Sequence, residues 1–210
     1  MNRLIASLTA IVAVALAGAA SAAAPSVTLK ATPTVVVYSG SSTLSGVLST
    51  QRTGQTITIQ AQECGKTKFG AAGNAKTVTG GAFSFVAKPT INTTYRAKYK
   101  SANSAPVAVS VKPSLRLNKL SKSRYRVALA AGVSFAGKYV NFQRYIRSSR
   151  KWKTVTRITF ATGQPSGPAP TTVSLGTKRI ALKTRARVRA MLPQAQAGCY
   201  LTTTSNSVRS

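Results

Sequence analysis

GKYVNFQRYIRSSRKW, residues 137–152, decides how the rest of this chain is read. An earlier stretch, GQTITIQAQECGKTKF at residues 54–69, has the same layout. Each opens on Gly, passes two polar or aromatic residues, and continues apolar-x-apolar-Gln. Ile57, Ile59 and Gln60 align with Val140, Phe142 and Gln143, and Phe69 aligns with Trp152. Every pair is 83 residues apart, without a gap. Self-similarity at such a spacing predicts two copies of one structural unit.

Working outward, the N-terminus reads as a leader rather than as part of the fold. Arg3 supplies a positive start, residues 4–17 are apolar, and Ala20-Ser21-Ala22 offers a small-x-small cleavage site. Cleavage after Ala22 avoids Pro25 at the first mature position. The apolar run is shorter than the roughly 20 residues that span a bilayer. The expectation is a signal peptide at 1–22, no transmembrane segment in the mature chain, and a secreted product that is extracellular or associated with the cell wall.

Charge is the second constraint. The 210 residues hold 30 Lys plus Arg, a single acid (Glu63) and no His, a formal net charge of +29. Carboxylate ion pairs therefore cannot hold the fold together. The cations repel one another while favouring solubility and anionic partners. The same inventory bears on chemistry. General acid–base catalysis draws on His, Asp or Glu, and metal sites need clusters of His, Cys or carboxylate. With one acid and two distant cysteines, triads, paired carboxylates and bound zinc are excluded on supply. No cofactor, metal or catalytic residue is expected. Ser148-Ser149-Arg150-Lys151 matches a Ser-x-x-Lys string, but that motif belongs at a helix start; between two strand-like runs it reads as a basic hairpin turn.

From Ser26 onward the pattern has period two, the mark of half-buried strands. Val27, Leu29 and Ala31 alternate with polar residues; Val35 to Tyr38 follow beyond Pro33. Residues 44–48 form a further strand, and Ile57, Ile59 and Ala61 face inward. Residues 66–69 and 76–78 read as short strands around Gly70 and Gly73. After Gly80-Gly81, the inward set is Phe83, Phe85 and Ala87. Tyr95, Ala97 and Tyr99 come next, and Val107, Val109 and Val111 close the first unit at 23–111. The second unit, 112–210, repeats the scheme. Leu115 and Leu117, then Tyr125, Val127 and Leu129, lead into the repeat strand. Val155, Ile158 and Phe160 alternate imperfectly. Val173 and Leu175 are matched to Phe83 and Phe85, Val188 and Ala190 point in, residues 193–198 form a loop, and 199–209 form the last strand. About eight short strands per unit predict a two-sheet Greek-key sandwich.

The mature chain resembles tandem bacterial immunoglobulin-like domains of secreted, surface-associated proteins of the actinobacterial type. The carriers are Gly54-x-x-Ile57-x-Ile59-Gln60, Gly80-Gly81-Ala82-Phe83-Ser84-Phe85, Asn92-Thr93-Thr94-Tyr95-Arg96-Ala97, Gly137-x-x-Val140-x-Phe142-Gln143, Lys151-Trp152 and Gln196-Ala197-Gly198-Cys199-Tyr200. The resemblance implies an all-β chain, two tandem immunoglobulin-like Greek-key β-sandwiches after a signal peptide, serving as a spacer or recognition module. In such domains Tyr95 occupies the place of a tyrosine corner, although an ordinary core tyrosine fits as well. Neither unit has the paired core cysteines of antibody domains. In this topology Cys64 follows the third strand of the first unit and Cys199 precedes the last strand of the second. Both loops face the junction, so an inter-unit bridge Cys64–Cys199 is expected. Free thiols or intermolecular bridges are the alternatives.

Residues 23–111 carry 9 Lys plus Arg with Glu63, and residues 112–210 carry 20 with no acid. Lys183, Arg185, Arg187 and Arg189 flank the strand that holds Val188 and Ala190. The three arginines are spaced to share one strand face. Arg144, Arg147, Arg150, Lys151 and Lys153 crowd the repeat hairpin beside Tyr145 and Trp152. Arginine forks grip phosphate or carboxylate, and aromatic faces stack on sugars. The expected partners are anionic cell-envelope polymers, teichoic-type polymers and acidic glycans, with nonspecific nucleic-acid binding in vitro. The expected role is a non-enzymatic structural or adhesive module; a specific glycan- or protein-binding module is the alternative.

Overall fold

The computed structural model describes residues 24–167, 170–182 and 185–210. The expected leader and Lys183 lie outside these residues. The described chain is all-β, apart from a 3-10 turn at Thr79–Gly81 and one helical turn at Gln194–Ala197.

The first unit holds β1 (Lys30–Thr32), β2 (Val35–Val37), β3 (Ser42–Val47), β4 (Thr56–Glu63), β5 (Gly70–Lys76), β6 (Ala82–Ala87), β7 (Thr93–Tyr99), β8 (Ala102–Asn103) and β9 (Val107–Lys112). One sheet runs β1-β3-β6; the other runs β2-β9-β7-β4-β5, with β8 on β7. The second unit holds β10 (Ser114–Ser121), β11 (Arg124–Ala131), β12 (Tyr139–Ile146), β13 (Lys151–Thr159), β14 (Thr162–Pro165), β15 (Thr172–Arg179), β16 (Arg187–Leu192), β17 (Thr203–Thr204) and β18 (Val208–Arg209). Its sheets run β10-β11-β15-β14 and β13-β12-β16-β17, with β18 also on β16. Each unit separates its strands as an immunoglobulin-type Greek key does. β1 and β2 flank the cis Thr32–Pro33 bond and belong to different sheets, and β2 runs parallel to β9. Inward side chains alternate along the strands and meet between the sheets: Leu44, Ile57, Ile59 and Ala97 in one unit, Tyr125, Val127, Phe142 and Val188 in the other, all fully buried.

The 83-residue repeat extends beyond the aligned sequence. Ile57 pairs with Ala75 and Gln60 with Ala71; Val140 pairs with Ile158 and Gln143 with Thr154. Both ladders slip at the same place, between Ile59 and Gln60 and between Phe142 and Gln143. The residues passed over, Ala72 and Val155, are again 83 apart. This β-bulge bends and twists the strand, and it explains the broken alternation through Val155, which is exposed.

The ladders also correct several expectations. Val173 and Leu175 do not take the places of Phe83 and Phe85. Ser174 and Gly176 face inward, and Leu175 is 41% exposed. The buried Ser174 hydroxyl oxygen accepts a hydrogen bond from Phe135 N at 2.9 Å. A Cβ on Gly176 would lie 2.6 Å from Thr159 O. In the first unit the bulk is reversed: Phe85 lies against Gly73, where a Cβ would sit 2.6 Å from the Phe85 ring. Period-two reading cannot detect a polar or missing side chain at a core position, because it seeks apolar ones. Residues 66–69 and 76–78 are not two strands, since the single strand β5 begins after the first and ends on Lys76 of the second. The segment 199–209 is not one strand but β17 and β18, and the loop at 193–198 contains the helical turn.

The units meet through Pro113, the residue between β9 and β10, and through a dense set of cross-bonds. Cys64 and Cys199 form a disulfide with Cα atoms 5.7 Å apart. Within the first unit Cys64 N donates to Asn92 O (2.8 Å); across the junction Asn92 N donates to Cys199 O (3.1 Å) and Leu201 N to Val111 O (2.9 Å). The Tyr200 hydroxyl accepts from Gly132 N and donates to Thr90 O, both at 3.0 Å. Tyr38 donates to Thr171 Oγ1 at 3.1 Å. Tyr95 is buried beside Thr93. The tyrosine that ties loop backbone together is instead Tyr200, at the junction.

Three buried tyrosines give the fold a one-sided pH response. Burial pushes the Tyr95, Tyr125 and Tyr200 hydroxyls above their ordinary value; among the described residues the Tyr125 hydroxyl has no hydrogen-bond partner. Above pH 10 the unfolded chain loses these protons before the folded one, so it binds fewer, and stability falls as pH rises. Below pH 10 both states keep them and the slope vanishes. With one side-chain carboxylate and no His, there is little to drive acid unfolding. Urea midpoints are expected to stay level from pH 4 to 9 and to fall above pH 10. A midpoint that drops on acidification would contradict this account.

Candidate polyanion-binding surface

The outer face of the sheet β13-β12-β16 is built by alternation. With Val140 and Phe142 turned inward, Tyr139, Asn141, Gln143 and Tyr145 turn out. On β16, Val188 and Ala190 are inward, so Arg187 and Arg189 turn out. The register places Gln143 opposite Arg189 and Tyr145 opposite Trp152. Arg189 Nε donates to Gln143 Oε1 at 2.9 Å. Its guanidinium carbon stands 4.2 Å from the centre of the Trp152 ring, and the Trp152 and Tyr145 rings are 5.3 Å apart. Burial pulls the Arg189 guanidinium below its ordinary value, but an arginine stays charged at neutral pH. The arrangement is a cation held flat on an aromatic shelf. Arg157 stacks likewise on Tyr139, at 4.3 Å.

The first unit carries the same device. Arg96 Nε donates to Gln60 Oε1 at 2.8 Å, and its guanidinium carbon lies 4.2 Å from the Phe69 ring centre. The repeated Gln and aromatic residues thus share a third member, an arginine on the neighbouring strand, that no local alignment reveals.

The structure divides the expected cationic set. Tyr145, Trp152, Arg187 and Arg189 share the outer face. Arg144 and Lys153 are paired across β12 and β13 and line a recess with Ala181 and Leu182; Arg144 also lines the recess that holds Tyr145, Arg185 and Arg187. Arg185 precedes β16 and lines a recess with Arg187 and Tyr145. Arg147 and Arg150 lie in the hairpin turn, where Arg150 N donates to Arg147 O at 3.3 Å. Lys151 opens β13 opposite Ile146.

A second concavity, which the spacing does not reveal, lies at the tip of the second unit away from the junction. It measures about 720 Å³ and is lined by Lys119, Lys122, Arg147, Arg185, Arg187 and Arg209. Arg187 is steadied there by donating to Ser207 Oγ at 3.1 Å. No Asp or Glu lines it. An adjoining recess shares Arg147, Arg185 and Arg187 and reaches Arg144 and Tyr145. Lys119, Lys122 and Arg209 are distant in sequence from Arg147, Arg185 and Arg187. They meet because the β10–β11 turn, the β12–β13 turn and β18 end at one pole of the sandwich. Six cations around one concavity create a positive potential that a multiply charged anion relieves.

No family model matches the chain, and no curated protein does. Among solved structures it is similar to a marsupial T cell receptor, at 9% identity and a TM-score of 0.31, over 87% of this chain and 100% of that one. No helix among the described residues is long and apolar enough to cross a membrane.

Proposed function

We propose that this chain is a secreted, non-enzymatic structural or adhesive module of the cell envelope, of the tandem immunoglobulin-like kind that bacterial surface proteins carry. It holds anionic polymers through its second unit. The observation that supports this reading best is the concavity of six cations, which Ser210 also lines, with an adjoining recess that reaches Tyr145 at the edge of the aromatic shelf. Teichoic-type polymers and acidic glycans match it as repeating anions: phosphate or carboxylate groups meet arginine forks, and sugar faces meet the rings. The Arg189–Trp152 stack favours one narrower reading, recognition of an acidic glycan, because stacking on a sugar persists when salt screens the charges.

The test is retention on isolated cell envelope and on a soluble polyphosphate across a salt gradient. Binding should weaken log-linearly with salt. The triple variant Arg147→Ala, Arg185→Ala, Arg187→Ala should make the slope roughly 2 to 3 units shallower, since each phosphate contact contributes somewhat under one unit. An unchanged slope sinks the assignment to this surface. Retention at high salt that Trp152→Ala abolishes selects the glycan reading.

A further inference from the structure

We infer that the free edge of β6, in the first unit, accepts an extended acidic peptide segment of a partner protein, which adds to the sheet as a further strand. The second unit shows the filled form of this position. There β15 has neighbours on both sides: β11, and the short strand β14, which pairs antiparallel from Thr162 with Leu175 to Pro165 with Thr172. In the first unit, among the described residues, β6 pairs with β3 alone. The connection from β5 to β6 is the brief turn through Thr79–Gly81 and supplies no such strand.

Beside the open edge lies a groove of about 750 Å³ between β6 and β5. Its walls are apolar or small: Ala61, Ala71, Ala72, Phe85, Ala87 and Tyr95. At the corresponding positions, 83 residues on, Gly70, Ala71 and Ala72 become Lys153, Thr154 and Val155. The first unit thus keeps room where the second carries longer side chains. Within its own six residues, before Lys88 and Pro89, the edge also lacks the usual protection. Exposed edges are blunted by Lys, Pro or extreme shortness. β1, β5, β10, β13 and β18 carry Lys or Arg, β14 ends in Pro165, and β2 and β17 are very short. β6 is six residues, AFSFVA, with no charge and no proline, and Val86 is 57% exposed.

The occupant's character follows from the rim. Lys66, Lys68 and Lys88 border the groove against Glu63 alone, so carboxylates on the incoming strand find partners. Small apolar side chains at alternate positions fit between Ala71 and Phe85. A second copy of the chain is a poor occupant, because two bodies of formal charge +29 repel one another. Main-chain pairing with alternate pockets is the recognised mode of strand addition.

The probe is a capped heptapeptide alternating glutamate and valine. It is compared with a peptide of equal charge that has proline at its centre and cannot continue a ladder. At physiological salt the alternating peptide is expected to bind at least tenfold more tightly. It should slow hydrogen exchange at the amides of residues 82–87. The exposed triple variant Lys66→Glu, Lys68→Glu, Lys88→Glu should lose that binding at least tenfold, with retention on polyphosphate through the second unit still present. Giving the first unit the second unit's residues, Gly70→Lys, Ala71→Thr and Ala72→Val, narrows the groove and should weaken the peptide too; a Cβ on Gly70 meets nothing within 4 Å. Equal binding of the two peptides, no binding, or no protection at 82–87 overturns the inference. So does concentration-dependent dimerisation that protects β6, since the occupant would then be a second copy. Failure of the polyanion reading removes only the polyphosphate control; the comparison of the two peptides and the protection at 82–87 still decide the inference.

Discussion

Breaking the Cys64–Cys199 disulfide is expected to lower the melting temperature by about 10 °C. The cysteines are 135 residues apart in sequence. In the loop-entropy account a closure of that length stabilises by about 5 kcal/mol, with strain and residual structure in the unfolded chain reducing the figure. For a chain of this size each kcal/mol moves the midpoint by roughly 2–4 °C. The bridge also acts on the folded state. It anchors Cys199 beside Asn92, whose N–H donates to Cys199 O and whose Oδ1 accepts from Val111 N at 2.7 Å. Its loss removes the covalent member of a cluster that ends with Tyr200 between Gly132 and Thr90. Calorimetry of the oxidised protein, the reduced protein and the Cys64→Ser, Cys199→Ser variant measures the effect. Equal midpoints for all three would show that the cross-link constrains neither state.

Phe142→Ala should destabilise the second unit by about 3–5 kcal/mol, the usual cost of emptying a buried phenylalanine site. Phe142 is fully buried, and its ring centre lies 4.9 Å from that of Tyr125. It sits at the bulge, so a collapse there disturbs the strand that presents Gln143 and Tyr145. Because β1–β9 and β10–β18 share no ladder among the described residues, the variant is expected to melt in two steps, the second unit first. Native-state hydrogen exchange should then show the amides of β12 and β16 opening early and those of β4 and β7 keeping their protection. One transition with uniform exchange would mean that the junction couples the units into a single cooperative body.

Duplication, strand content and the carboxylate shortage were all legible in the residue order. Period-two alternation marks a strand wherever one face is buried, and an 83-residue match needs no coordinates to be seen. The Cys64–Cys199 bridge was legible through the resemblance, because a Greek key places loops at one pole or the other. Local patterns failed where contact between distant strands decides the outcome. Ser174 and Gly176 are core positions only because Phe135 N and Thr159 O lie across from them. Arg96 and Arg189 become parts of a shelf only when β7 and β16 come alongside β4 and β12.

Sequence alone therefore determined a basic, strand-rich chain with one motif written twice, since composition and periodicity are properties of the residue order. Only the tertiary structure decided which cations share a surface, setting Lys153 apart from Arg187 and Arg189 and gathering Lys119, Lys122 and Arg209 at one pole. The same holds for the edge that stays open, β6. Strand neighbours are chosen by long-range pairing, and the side chain of a strand residue changes face with every single-residue shift in register.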